Sequence, residues 1–79
     1  MKRTYAFSVV LAVAEVTNED CDALYEAGCD DGTVVTREGV TYVAFDREAE
    51  SLEEAIRSAA MQVKAAGFEV ARMEMDALV

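Results

Sequence analysis

From residue 5 to residue 13, large apolar side chains stand at the odd positions: Tyr5, Phe7, Val9, Leu11 and Val13. The smaller Ala6, Ser8, Val10, Ala12 and Ala14 take the even ones. Period-two alternation in β-branched and aromatic residues predicts a strand. No charge falls between Thr4 and Ala14, so neither face of this strand demands water, which suits the middle of a sheet.

The period then lengthens. Cys21, Leu24, Tyr25 and Gly28 recur at the i, i+3, i+4, i+7 spacing of a helix. Thr17 is its expected N-cap, with Asn18, Glu19 and Asp20 filling a first turn that the helix dipole makes favourable for acids. Gly28 is able to take the left-handed conformation that ends it. Asp30-Asp31-Gly32 reads as a turn with the glycine at positive φ. Two β-rich runs, 33–37 and 40–46, are split by Glu38-Gly39, a two-residue connection that predicts a hairpin. In the second run Val40, Tyr42 and Ala44 oppose Thr41, Val43 and Phe45, so apolar groups fall on both faces. That run is the natural neighbour of the first strand.

Ser51-Leu52-Glu53-Glu54 has the form of a capping box. Behind it Leu52, Ile56, Ala59, Val63 and Ala66 form an apolar stripe, with Glu53, Glu54, Arg57 and Lys64 outside. Glu53 and Arg57 stand four apart in the favourable order, and Gly67 stops the helix. A last strand is predicted over 68–75. Its apolar phase slips from Phe68 and Val70 to Ala71, Met73 and Met75, which calls for a bulge near Ala71 or for cover on both faces. The two methionines read as packing.

Strand, helix, strand, strand, helix, strand is the α+β, ferredoxin-like βαββαβ plan, a four-stranded antiparallel-type sheet with both helices on one face. Right-handed crossovers are expected to set the first and third strands side by side and parallel. One domain, 1–79, accommodates all of it. Two helices cover one face only, and the inner strands offer no charged face to solvent. The strip Ala6, Ser8, Val10 and Ala12 is therefore the candidate interaction surface, and the expectation is a homodimer packed through sheets or sheet edges, or docking against another domain of the same natural protein.

Composition narrows the function. The 79 residues are 53% hydrophobic, with no Pro and no Trp, too apolar for a disordered tail. Sixteen acids against seven bases give a net charge of −9, a field that repels phosphate backbones and argues against nucleic-acid contact by this segment. Two cysteines and no histidine point away from a disulfide framework or a zinc site. Cys21 and Cys29, about 12 Å apart along a helix, would neither pair nor share a metal. Lys2 and Arg3 precede an apolar run ending in the small-x-small Ala12-Val13-Ala14, but the run is short for a signal peptide and a buried strand is preferred. It is also too short to span a bilayer. A cytoplasmic location is expected.

Chemistry is sparse. A general base would have to be a carboxylate, Lys, Tyr or Cys; Asp30, Asp31, Asp46 and Glu48 could meet at strand ends, where carboxylates are commonly solvated. A calcium loop is not formed, because the acids do not alternate. Gly28, Gly32 and Gly39 have no nucleotide-binding spacing. Arg37 and Arg47 could clamp a small anion, or pair with the many acids. We therefore expect no enzyme, with no catalytic, cofactor-binding or metal-ligating residues and no cofactor.

The runs LYEAGCDDGTVV, GVTYVAFDREAESLEEAI and AAGFEVARMEMDALV together span nearly the whole chain. They resemble the N-terminal half of a family of small bacterial, antitoxin-like DNA-binding proteins, with GCDD and FDREA the more specific pieces. In that family an acidic α+β segment precedes a helix-turn-helix, which begins just after the position matching Asp76-Ala77-Leu78-Val79. The resemblance implies a non-catalytic interaction or dimerisation domain of a transcription regulator, either followed by a helix-turn-helix in the natural protein or a stand-alone version doing only the interaction part. It carries over no DNA-contacting residue. The alternative expectation is a regulatory domain that senses a metabolite at a dimer interface.

Overall fold

The computed structural model describes residues 2–13 and 15–75. Ala14, the last of the small even positions, and residues 76–79, the end of the family-like run, lie outside the described residues. Six elements follow in the expected order: β1 (Arg3–Leu11), α1 (Asn18–Glu26), β2 (Gly32–Arg37), β3 (Val40–Ala49), α2 (Leu52–Ala65) and β4 (Val70–Met75). They form one four-stranded sheet in the order β2-β3-β1-β4 with two helices, the ferredoxin-like arrangement.

Every pairing is antiparallel, including β1 with β3, which corrects the parallel orientation expected for that pair. The reason is topological. A helical return makes β1 and β2 run the same way, and the tight hairpin then reverses β3 before it inserts between them. Glu38 and Gly39 have φ of 53° and 77°, so both turn residues are left-handed, as a two-residue hairpin loop requires. β3 outruns the predicted 40–46 by three residues, because it keeps pairing with β1 as far as Arg3 opposite Ala49. β1 stops at Leu11, and Val13 is exposed.

Caps define both helices. Thr17 accepts from the Asp20 amide while the Asp20 carboxylate accepts from the Thr17 amide, a reciprocal box. Ser51 accepts from the Glu54 amide at the start of α2. Gly28 and Gly67, at φ of 114° and 99°, end the two helices. Gly32 is not at positive φ. It closes a turn onto the Cys29 carbonyl, and a Cβ there would stand 2.6 Å from a Val43 methyl, so close packing rather than backbone conformation calls for glycine.

The core lies between the helices and one face of the sheet. Phe7, Val9, Leu11, Val43, Phe45 and Ala49 meet Leu24 and Cys29 from the α1 side and Ala55, Ala59 and Val63 from α2. Phe7 and Phe45 face each other across the central pair with ring centroids 5.4 Å apart. The stripe of α2 is rotated slightly from expectation, with Ala55, Ala59 and Val63 buried and Leu52, Ile56 and Ala66 only half-buried. Small residues at the centre let the helix sit close to the sheet. Tyr25, placed on the inner face of α1 by spacing alone, is 66% exposed. Leu24, the residue before it, takes the core-facing position of that last turn instead. In β4 the register slips between Val10–Arg72 and Leu11–Val70, leaving Ala71 as the extra residue of a bulge. Met73 packs on the core, whereas Met75 is exposed.

Candidate functional site

Two places carry the residues singled out above: a polar cleft at the end of β3 and the sheet face that lacks helices. The cleft is built around Arg47. Alternation along β3 puts Thr41, Val43, Phe45, Arg47 and Ala49 on the helix side, so a guanidinium enters where its neighbours are apolar. Arg47 is 7% exposed, and its Cζ lies 4.8 Å from the centre of the Phe45 ring. Its donors are used in full view of three elements. Nε and Nη2 form a fork onto Asp31 at 2.8 and 2.7 Å, Nη2 also donates to the Gly28 carbonyl at 3.0 Å, and Nη1 donates to Ser58 Oγ at 3.1 Å. The hydroxyl of Ser58 in turn donates to the Ala55 carbonyl at 3.1 Å.

One side chain thus ties the end of β3 to the loop after α1 and to the second turn of α2. The electrostatics agree with the geometry. Hydrogen bonding to Arg47 holds the Asp31 carboxyl below the ordinary carboxylate range, against a smaller opposing effect of burial. The same bond to Asp31 raises Arg47 further, so the pair stays ionised. Burial pushes the neighbouring Cys29 thiol up despite the nearby guanidinium. Cys29 is therefore a protonated core group. Cys21 and Cys29 are both free thiols.

Around this pair opens a cleft of about 490 Å³ lined by Lys2, Asp30, Asp31, Asp46, Glu48 and Gln62 besides Arg47 and Ser58. The four acidic residues expected near one another at strand ends all border this cleft, Asp30 and Asp31 from the loop after α1 and Asp46 and Glu48 from positions of β3 out of phase with Arg47. β2 begins at Gly32, opposite Phe45, so beyond that point β3 is paired only with β1 and carries Asp46 and Glu48 past the end of β2. Among the described residues no group of three or more carboxylates or cysteines is arranged to hold a metal ion. Arg47 offers no free donor pair to an anion, because Asp31 already occupies its fork. Arg37 lies at the hairpin end of the sheet, opposite Val40, and takes no part in the cleft. The two arginines do not form a clamp.

The second place is the open face of the sheet. Cross-strand partners share a face, so the register assigns it. Thr4 and Glu48, Ala6 and Asp46, Ser8 and Ala44, Val10 and Tyr42 are paired across the centre, with Thr33, Val35 and Arg37 beside them on β2 and Arg72 and Glu74 on β4. Of the predicted strip, Ala12 is exposed and Ala6 half-buried. Ser8 and Val10 are only 8% and 3% exposed although no helix lies over them. Val10 is flanked by the long side chains of Tyr42 and Arg72, and Ser8 by Ala44 and Glu74, so the small central residues form the floor of the face rather than its crest. The crest is Tyr42 and Val35, each half-buried. Nor is the face uncharged: Arg37 and Arg72 stand toward one end, and Asp46 and Glu48 toward the other.

Among the described residues no helix is long and apolar enough to cross a membrane. In comparisons with family models, with curated proteins and with solved structures, the chain matches none.

Proposed function

We propose that this domain is a non-catalytic interaction module that pairs with a second copy of itself through the open face of its sheet. The observation that carries the reading is the one-sided placement of the helices. β1 and β3, the two central strands, have their second face floored by Ala6, Ser8, Val10 and Ala44 and topped by Tyr42 and Val35, with no element across it among the described residues. An apolar centre with a charged margin is the composition of a protein-protein surface. The polar cleft does not favour an enzymatic reading, since the fork of its buried cation is occupied by Asp31 and further donors go to Gly28 and Ser58. A net charge of −9 disfavours direct contact with nucleic acid. These features accord with the resemblance to the segment that precedes a helix-turn-helix in antitoxin-like bacterial regulators, and we propose that role: a dimerisation domain that sets the spacing of DNA-binding units attached to it.

Sedimentation velocity over a micromolar to submillimolar range tests the reading. The wild-type chain should sediment as a dimer at the upper concentrations. Ala44→Arg, which raises a charged side chain from the centre of the face, should sediment as a folded monomer throughout. A wild-type chain that stays monomeric across the range would remove the proposal.

A further inference from the structure

The open face has a polarity along its strands, and a self-association through it has to respect that polarity. The register spans from Thr4 opposite Glu48 at one end to Arg37 opposite Val40 at the other, with Ser8 opposite Ala44 midway. Eight residues of β3 separate Glu48 from Val40, roughly 26 Å of extended chain. Basic Arg37 and Arg72 lie on the hairpin half, acidic Asp46 and Glu48 on the other half. Arg72 already pairs with Glu74 at 2.8 Å. Among the described residues Arg37, Asp46 and Glu48 have no ion pair of their own. Three acids and two arginines make the face nearly neutral on a chain of net charge −9, so this is the side on which two copies repel least.

Two twofold arrangements bring a sheet face onto a second copy of itself. An axis parallel to the strands keeps each end over its own kind, bringing the acidic ends of the two copies together and the arginine-bearing ends together. An axis across the strands exchanges the halves. Like charges facing each other are costly in a closed interface, and opposite ones fix its register. Resting on the reading that the face self-associates, we infer that the second copy docks with its strands antiparallel to those of the first. The axis then passes over Ser8 and Ala44. β3 then lies over β3 and β1 over β1, so each Arg37 comes beside Glu48 of the other copy, Tyr42 stands over its Asp46, and Val10 over its Ala6. Alanine and serine at the crossing point permit the roughly 10 Å spacing at which packed sheets interdigitate.

Charge reversal separates this inference from the reading beneath it. Arg37→Glu and Glu48→Arg are exposed-surface changes, and circular dichroism confirms that each variant is folded. By sedimentation velocity each variant alone should dimerise at least roughly tenfold more weakly than wild type, because like charges then meet at both symmetric contacts. An equimolar mixture of the two should recover the wild-type dimer, and so should the double variant carrying both changes in one chain. A wild-type dimer with no recovery in either case overturns the antiparallel register while leaving self-association intact. A monomeric wild type overturns both.

Discussion

Asp31 and Arg47 form an ion pair whose two members sit in unequal surroundings, and the inequality makes a directional test. The side chain of Arg47 is 8% exposed and that of Asp31 33% exposed. Asp31→Ala leaves a guanidinium enclosed by Phe45, the Gly28 carbonyl and Ser58 with its counter-charge gone. Breaking a buried pair by deleting one member costs about 3–5 kcal/mol when both are enclosed. Water reaching the vacated carboxylate position lowers that to about 2–4 kcal/mol here. Arg47→Met removes the buried charge instead, keeps an unbranched stem over Phe45, and leaves Asp31 where solvent already touches it. Its cost should be smaller, about 1–2 kcal/mol, mostly the lost bonds to Gly28 and Ser58. A domain of this length has a stability of about 4–12 kcal/mol, so the first variant loses a large share of it. Each kcal/mol lowers the melting temperature by about 4–8 °C at this size. Urea denaturation followed by far-ultraviolet circular dichroism, at pH 7, measures both. Asp31→Ala must be the more destabilised of the two. Equal losses, or a greater loss for Arg47→Met, would mean that the bonds of Arg47 to the loop after α1 and to Ser58 of α2, and not its unneutralised charge, hold this end of the fold.

Further outcomes follow from the same structure. Asp31 titrates lower in the folded state than unfolded, so its contribution is complete above about pH 4 and fades as pH falls through the folded value; the stability curves of wild type and Asp31→Asn should converge in acid. The Cys29 thiol is raised by burial, so stability should fall as pH rises past the ordinary thiol range, and Cys29→Ala should flatten that alkaline limb in a pH series of melts. Gly32→Ala would set a Cβ 2.6 Å from Val43 Cγ1 and should cost about 1–3 kcal/mol in urea titration. Glu38 is a left-handed non-glycine residue, and Glu38→Asn should stabilise by about 0.5–1 kcal/mol, read as a higher melting temperature.

Legibility in the sequence followed period and punctuation. The alternation of β1, the Glu38-Gly39 turn, the Thr17 and Ser51 caps and the phase slip at Ala71 each report a local backbone requirement, and each is met in the structure. Orientation was less accessible. The parallel expectation for β1 and β3 overlooked that a hairpin reverses a strand wherever it is then inserted. Tyr25 and Ala55 show the limit of helical spacing, which gives a period but not the angle at which the stripe meets the sheet. The Arg47 network had a signal that went unused: Arg47 is in phase with Thr41, Val43 and Phe45, so extending the strand past Asp46 puts a charge on a core-facing position. Its partners come from two distant segments, Gly28 and Asp31 from the loop after α1 and Ser58 from α2, and could not be read from any local pattern. The open face was legible as a strip of small residues. Its depth below Tyr42 and Arg72, and its opposed charged ends, depend on the neighbours that only the register supplies.

The central claim is that this chain meets a second copy of itself on the sheet face away from its helices. Methyl spectra recorded across a dilution series address it residue by residue. The account expects the methyl signals of Ala6, Val10, Val35 and Ala44 to shift together with concentration while those of Ala55, Ala59 and Val63, sealed beneath α2, stay fixed. Shifts confined to the helical side, or a spectrum unchanged at every concentration, would contradict it.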